Sequence, residues 1–407
     1  MRILVGSWPG YGHLLPMLPL VRAAQAAGHD VLVSTGVDLH PLLDQLQVPA
    51  HRSGFTLLES YQQMPGDTRI SALPPEEQPI FAAQHLFGNG AVRRARDVLA
   101  LLDGWRPDLV VHDTLELGSA AAAVMTGIPH VTHGYGPTVP RSDDFAAAIG
   151  RTIAAAGLTD PIPDVLAAPY LDNVPPSARG PEPNPWSTIL PIRPSPGEHD
   201  GTDLAIDLDG LPHDRTVYVT LGTVMNQNPE VFRAVLEGCA RLPVNLLVTT
   251  GPGFDPALLG PLSPAVRTAP FLPQAAVLPL CTAVVSHTGA GTMLGALCHG
   301  LPQLCIPQGT DQPSNTDALL PTGAALALQP ADVTADSVAD ALGRLLDEPT
   351  YRAAAEALRA EIEAMPTSGE VLPRILPATG YRWARTRRAS RKKSSASSAV
   401  ATWCQVR

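Results

Sequence analysis

Lysine is almost absent: in 407 residues it occurs only as Lys392 and Lys393, inside a Ser/Arg/Lys run with no apolar periodicity. Such a run packs no core, so residues 378–407 are expected to be a disordered basic tail irrelevant to activity. Apolar runs of bilayer length are missing, which excludes a membrane span. The five cysteines, Cys239, Cys281, Cys298, Cys305 and Cys404, are odd in number and form no C-x-x-C pair. Four sit in apolar or helical runs, where a free thiol is a small core residue, and a reducing cytoplasm fits that usage. Met1-Arg2 runs straight into a short strand broken by Pro9, too short and too glycine-rich for a signal peptide. Positive charge is scarce outside the tail. Taking its eight basic residues from the chain's 28 leaves 20 against 38 acidic ones, or −18, which argues against nucleic acid as the main partner.

What remains is 45% apolar and 16% charged, the balance of a well-buried protein, and its length makes two domains the default. Arg2 to Gly6 reads as a buried strand. The loop Ser7-Trp8-Pro9-Gly10-Tyr11-Gly12-His13 follows, then a helix from about Leu14 to Ala27 and a second strand, Asp30 to Ser34. The dinucleotide fingerprint is not met there: the third position of G-x-G-x-x-G is Leu15, and the second strand ends Val33-Ser34-Thr35 with no ribose-binding acid. His13 lies where a strand meets its helix, at the open carboxyl edge of a sheet, and its near-neutral pKa suits a general base. A helix-terminal histidine satisfied by backbone is the competing reading. Asp108 to His112 forms a later strand with Asp113 at its carboxyl end. Parallel strands of one sheet bring their ends together, so Asp113 either orients His13 or caps the following helix. His112, one residue off, faces the other way. His130 and His133 flank the strand Ile128 to Thr132 without a partner at ligand spacing, and read as polar residues at a loop mouth.

The second half is organised around Ser286-His287-Thr288-Gly289-Ala290-Gly291-Thr292, between the apolar run Thr282 to Val285 and a helix from Met293 to His299. A strand that turns through glycines into a helix points unpaired N–H groups at one spot and makes it favour an anion, so this is a candidate diphosphate cradle. His287 can donate to a phosphate oxygen, and Gly289 and Gly291 admit a close backbone approach. After the next strand, Gln303 to Ile306, the loop Pro307-Gln308-Gly309-Thr310-Asp311-Gln312 should face the same ligand, with Asp311 and Gln312 suited to hydroxyls. Thr223 follows the strand Thr216 to Leu221, where it either reaches a phosphate or caps a turn. No Asp-x-Asp motif accompanies the cradle. Pro161 to Pro196 holds 11 of the 43 prolines, which argues against regular helix or inner strand there. Ser53 to Pro79 reads as an adaptable loop.

Gly10, Gly12, His13 and Pro16 match Gly-x-Gly-His-x-x-Pro, and His287 to Thr292 with Pro307, Asp311 and Gln312 match His-x-Gly-Ala-Gly-Thr then Pro-x-x-x-Asp-Gln. Over about residues 1–377 the chain resembles family 1 glycosyltransferases, nearest the actinobacterial branch that attaches deoxysugars to natural products. The resemblance implies the GT-B architecture, two facing Rossmann-like α/β domains with parallel sheets. It implies an acceptor domain over 1–200, a nucleotide-sugar domain over 201–365, and a crossover helix over 366–377. It makes His13 and Asp113 the catalytic pair and assigns the donor to Gly12, Thr223, Leu272, Gln274, His287, Gly289, Ala290, Gly291, Thr292, Asp311 and Gln312. Phe271, in the segment along the nucleotide base, reads equally well as core. An inverting, metal-independent transfer from a nucleotide diphosphate, thymidine diphosphate first, to a small hydrophobic acceptor follows. No cofactor is implied beyond the sugar nucleotide, and a homodimer stays open. A sugar-nucleotide epimerase of the same fold and a non-catalytic auxiliary protein are the rival readings.

Overall fold

The computed structural model describes residues 1–65, 70, 73–74, 77–137, 143–180, 183–197, 206, 208–222, 229–251 and 254–376. Thr223, Cys404 and the basic tail 378–407 lie outside the described residues. Seven strands make one sheet: β1 (Arg2–Gly6), β2 (Asp30–Thr35), β3 (Ala50–Arg52), β4 (Leu109–Asp113), β5 (His130–His133), β6 (Pro169–Asp172) and β7 (Thr188–Pro191). Their order is β3-β2-β1-β4-β5-β6-β7. Six more make a second sheet: β8 (Arg215–Thr220), β9 (Val244–Thr249), β10 (Val266–Ala269), β11 (Ala283–Ser286), β12 (Gln303–Cys305) and β13 (Ala325–Ala327), in the order β10-β9-β8-β11-β12-β13. The central pairings are parallel, Gly6 beside His112 and Ser286 beside Thr220. Helices cover both faces, which is why the bodies of β4 (Leu109 to Val111) and β11 (Ala283 to Val285) are apolar and both strands are buried at every position.

Each sheet reverses its strand order once, between β1 and β4 and between β8 and β11. Ligands of open parallel sheets sit outside the carboxyl ends at such switch points. The loop carrying His13 leaves β1 and Asp113 ends β4; Gly222 follows β8 and the glycine turn leaves β11. Both motifs therefore stand at the one place in each sheet where the topology opens a crevice. The helix Ser368–Ile375 returns to the first sheet, burying Val371, Leu372 and Ile375 among Leu14, Val21, Val33 and Leu43. Among the described residues no helix is long and apolar enough to cross a membrane.

Three expectations are corrected. β6 is an inner strand despite the prolines, because Pro169 occupies its first position, where a missing N–H costs the ladder least. The same proline-rich stretch also contains a short helix, Ile162–Ala167, with Pro163 in its first turn, where proline is tolerated. His130 and His133 stand at no loop mouth: they are 8% and 1% exposed inside β5. Burial holds their imidazoles down, to about 3 for His130 and about 4 for His133.

Those two histidines set an acid limit on stability. The unfolded chain takes up protons near pH 6.5, whereas the folded one refuses them until about pH 4 or below. Stability is therefore undiminished above pH 6.5 and falls as the pH drops through that window, by about 2 kcal/mol per histidine at pH 5. Urea unfolding at pH 7.5 and pH 5 should show the loss, and His130→Gln should reduce it; a pH-independent midpoint contradicts the assignment.

Candidate active site

The β1 end is built to hold an imidazole. Gly6 closes the strand because a Cβ there would lie 2.3 Å from Glu116 Oε2 and 2.5 Å from Ser119 Oγ. Glu116 caps the helix Leu117–Thr126 through the N–H groups of Gly118 and Ser119. Arg94, 3% exposed, lies 3.7 Å from Glu116 and donates to the carbonyls of Ser7 and Ser53 at 2.7 and 3.3 Å. This buried pair fixes the start of the loop that carries His13.

His13 falls in a short helix, Tyr11–Leu14, that begins earlier than its apolar pattern suggests. Its Nδ1 is 3.2 Å from Asp113 Oδ1, and its side chain is 14% exposed while that of Asp113 is fully buried. The Asp113 carboxylate also accepts from the backbone N–H of Trp8 at 2.6 Å, Leu115 at 2.7 Å and Glu116 at 3.1 Å. Orienting the imidazole and closing the next turn, held apart as alternatives in the sequence, are done by one side chain. Burial by itself would raise this carboxyl; the His13 imidazole and the backbone donors outweigh it and hold Asp113 below the ordinary carboxylate range. His112 points away, bonding to Thr132 and stacking on His130.

On the other side, Gly289 is the N-cap of the helix Ala290–Cys298, which starts three residues before the expected Met293. Ala290, Gly291 and Thr292 thus form its first turn, whose N–H groups have no intrahelical acceptor. A Cβ at Gly291 would meet nothing within 4 Å, and the same holds for Gly12. His287 is anchored by its N–H to the Thr220 carbonyl at 3.2 Å, and its ring fills the space a Cβ on Gly222 or Gly289 would need, 2.6 and 2.4 Å from its Nε2. Among the described residues its buried Nδ1 has no hydrogen-bond partner. Burial lowers its pKa against the opposing field of Asp311, so the ring is neutral at pH 7.

Thr288 and Thr310, one in each loop, hold left-handed backbones at φ 61° and 57°, costly for β-branched residues and typical of tightly determined sites. Asn315 locks the loops together: its Nδ2 donates to the Thr288 carbonyl at 3.0 Å and to Asp311 Oδ2 at 2.8 Å. Gln312 is 5% exposed, and its Oε1 accepts the N–H groups of Gln308 and Gly309, so it shapes the loop from inside. Leu272 is 1% exposed in the core, whereas Phe271, which could have been core, is 58% exposed beside Tyr11. Gln274 donates to the Thr292 hydroxyl at 2.8 Å. Asn315, Trp8 and Tyr135 were missed by the sequence reading. The last two were findable by the rule that found Asp113, since both follow strand ends.

The two walls meet. Tyr135 packs on His13, ring centroids 4.6 Å apart, and belongs to one buried cluster with Leu115 and Ala290. A base-capable imidazole and an anion-suited helix terminus therefore share one crevice.

Two family profiles match, the N-terminal and C-terminal domains described as erythromycin biosynthesis protein CIII-like, over residues 83–181 and 233–377. L-demethylnoviosyl transferase of Streptomyces niveus is 33% identical over 393 residues, covering 90% of this chain and 99% of that protein. The chain belongs to the antibiotic-biosynthesis branch of the family 1 glycosyltransferases. Elloramycin glycosyltransferase of Streptomyces olivaceus is 31% identical, with 93% of this chain and 98% of that protein covered. Among solved structures, the glycosyltransferase SnogD of Streptomyces nogalater superposes with TM-score 0.72 at 27% identity, covering 93% of this chain and 99% of that one. SsfS6 of Streptomyces sp. SF2575, complexed with thymidine diphosphate, gives 0.73 at 25% identity over 92% and 99%. The glycosyltransferase described above is thus a GT-B enzyme, and its two switch points face each other across the GT-B cleft.

Proposed function

We propose that this glycosyltransferase moves a deoxysugar from a thymidine diphosphate donor to a hydroxyl of a small natural-product acceptor, with inversion at the anomeric carbon. The observation that carries the reading is the His13–Asp113 pair at 3.2 Å, joined through Tyr135 to the helix terminus at Ala290. Asp113 holds the proton on Nδ1, which leaves Nε2 as the base. The acceptor oxygen attacks the anomeric carbon as its proton passes to Nε2. The bond from that carbon to the diphosphate breaks, and its electron pair leaves with the diphosphate. The first-turn N–H groups of Ala290, Gly291 and Thr292 and the imidazole of His287 receive the growing charge, which is the work a metal ion does in other transferases. Activity should accordingly survive a chelator. Asp311 is the candidate for the sugar hydroxyls. The thymidine preference is supported by the thymidine diphosphate complex of SsfS6. Trp8, Phe55, Phe87 and Leu115 line a small cavity, and Trp8 also packs on the His13 ring, which makes these side chains the candidate acceptor wall.

Calorimetric titration with thymidine and uridine diphosphates tests the donor. Thymidine diphosphate is expected to bind at least about tenfold tighter, the value of one well-made contact; equal affinities remove the donor assignment. Incubation with a thymidine diphosphate sugar alone, read by proton NMR, tests the reaction class. A changed sugar configuration on intact nucleotide would make the enzyme an epimerase. The clamp between the loops gives a further expectation. Asn315→Leu strips the Thr288 carbonyl and the Asp311 carboxylate of a buried donor, so thymidine diphosphate affinity should fall about tenfold, by the usual cost of such a loss. Unchanged affinity would show that the two loops do not act together on the donor.

A further inference from the structure

Gly136 needs an explanation its backbone does not supply, because it is not among the glycines with positive φ. What it lacks space for is a side chain: a Cβ there would lie 2.3 Å from the Cβ of Ala290. Gly136 ends the Gly134-Tyr135-Gly136 segment after β5, on the first sheet, and Ala290 is the first residue of the helix that opens the glycine turn on the second. At this point the two walls meet as backbone against methyl.

The preceding residue faces the base. The Tyr135 ring lies 4.6 Å from the His13 ring at 42°, and Trp8 lies 5.1 Å from it at 56°. Tyr135 and Ala290 are 7% and 5% exposed. Burial and then the Asp311 and Asp113 carboxylates raise the Tyr135 phenol well above its ordinary value, so it stays protonated and acts here as a packing surface. Two adjacent residues thus touch the imidazole with one and the helix terminus with the other.

We propose that Tyr135 and Gly136 form a joint through which the donor-bound position of the second domain sets the orientation of His13. Tyr135 is a positioning residue in this account. The proposal rests on the donor and base assignments made above. When the helix terminus draws towards a bound diphosphate, Ala290 bears on Gly136 and the Tyr135 ring is pressed onto the imidazole, whose other edge is fixed by Asp113.

The test follows the His13 imidazole by nitrogen-edited NMR, assigned through His13→Gln, while the full-length enzyme is titrated with thymidine diphosphate. The wild-type resonance should move on binding. Gly136→Ala should remove most of that movement and weaken binding about tenfold, and adding Ala290→Gly, which takes away the opposing methyl, should restore both, the non-additivity expected of residues in contact. Should Gly136→Ala not fold, Tyr135→Leu and Tyr135→Phe carry the same question: Phe should retain the wild-type response and Leu should lose it while binding the nucleotide within about threefold of wild type. A normal response in Gly136→Ala or in Tyr135→Leu overturns the joint, as do additive effects in the double variant. Failure of the wild type to bind thymidine diphosphate defeats the donor assignment beneath it and the joint together, whereas binding without any movement of His13 defeats the joint alone.

Discussion

His13→Ala should lower turnover by about 10²- to 10⁴-fold, the usual contribution of a positioned general base, while leaving nucleotide affinity within a few-fold. The separation of the two effects follows from where the residues stand. His13 follows β1 of the first sheet, and the proposed diphosphate cradle consists of Gly289 to Thr292 and His287 on the second. Removing the imidazole takes nothing from the N–H groups proposed to face the diphosphate. It also empties the space between Trp8 and Tyr135, so a modest change in acceptor KM is expected. Initial rates with a saturating donor, together with calorimetry on the same preparation, decide it. Loss of nucleotide binding in parallel with turnover would mean that His13 supports the cradle and is not the base.

Asp113→Ala should be costly in two currencies. Turnover falls because Nδ1 of His13 loses the acceptor that fixes its tautomer and steadies the imidazolium. Stability falls because the backbone N–H groups of Trp8, Leu115 and Glu116 lose their common acceptor in a fully buried place. At about 1–3 kcal/mol for each stranded donor, a loss of roughly 3 kcal/mol or more is expected, readable as a lower urea midpoint. Asp113→Asn keeps an oxygen for the Leu115 and Glu116 N–H groups and sets its amide nitrogen against the Trp8 N–H, so it should recover part of the stability and little of the turnover. The pH dependence has a defined sign. The carboxyl titrates lower folded than unfolded, so its contribution is present above the ordinary carboxylate range and lost as the pH falls through its folded value. That loss adds to the one set by His130 and His133 at the acid end of their window, so destabilisation steepens as the pH falls below the ordinary carboxylate range.

Most of the site could be read from the chain because buried parallel strands are short apolar runs, and the residues just after them occupy a fixed edge. Gly6 to His13, Val111 to Asp113 and Val285 to Thr292 all follow that rule. The reading failed where a local signal misled. Prolines hid β6, since a proline at a strand's first position resembles one that breaks it. Polar letters hid the burial of His130 and His133, whose neutral rings are held by stacking on His112 and by the Gly134 carbonyl respectively. Leu272 and Gln312 belong to segments expected at the donor but turn inward, and a motif gives the position of a residue without giving the direction of its side chain. Tyr135, Gly136 and Asn315 join elements distant in sequence, so their contacts exist only once the two sheets are assembled.

The decisive measurement is a crystal structure of the enzyme with thymidine diphosphate and a slowly reacting acceptor. The account predicts the β-phosphate within hydrogen-bonding distance of the N–H groups of Ala290, Gly291 and Thr292 and of the His287 imidazole. It also predicts His13 Nδ1 on Asp113 and Nε2 directed at the acceptor hydroxyl. A diphosphate bound away from that helix terminus, or an acceptor hydroxyl out of reach of His13, would contradict it.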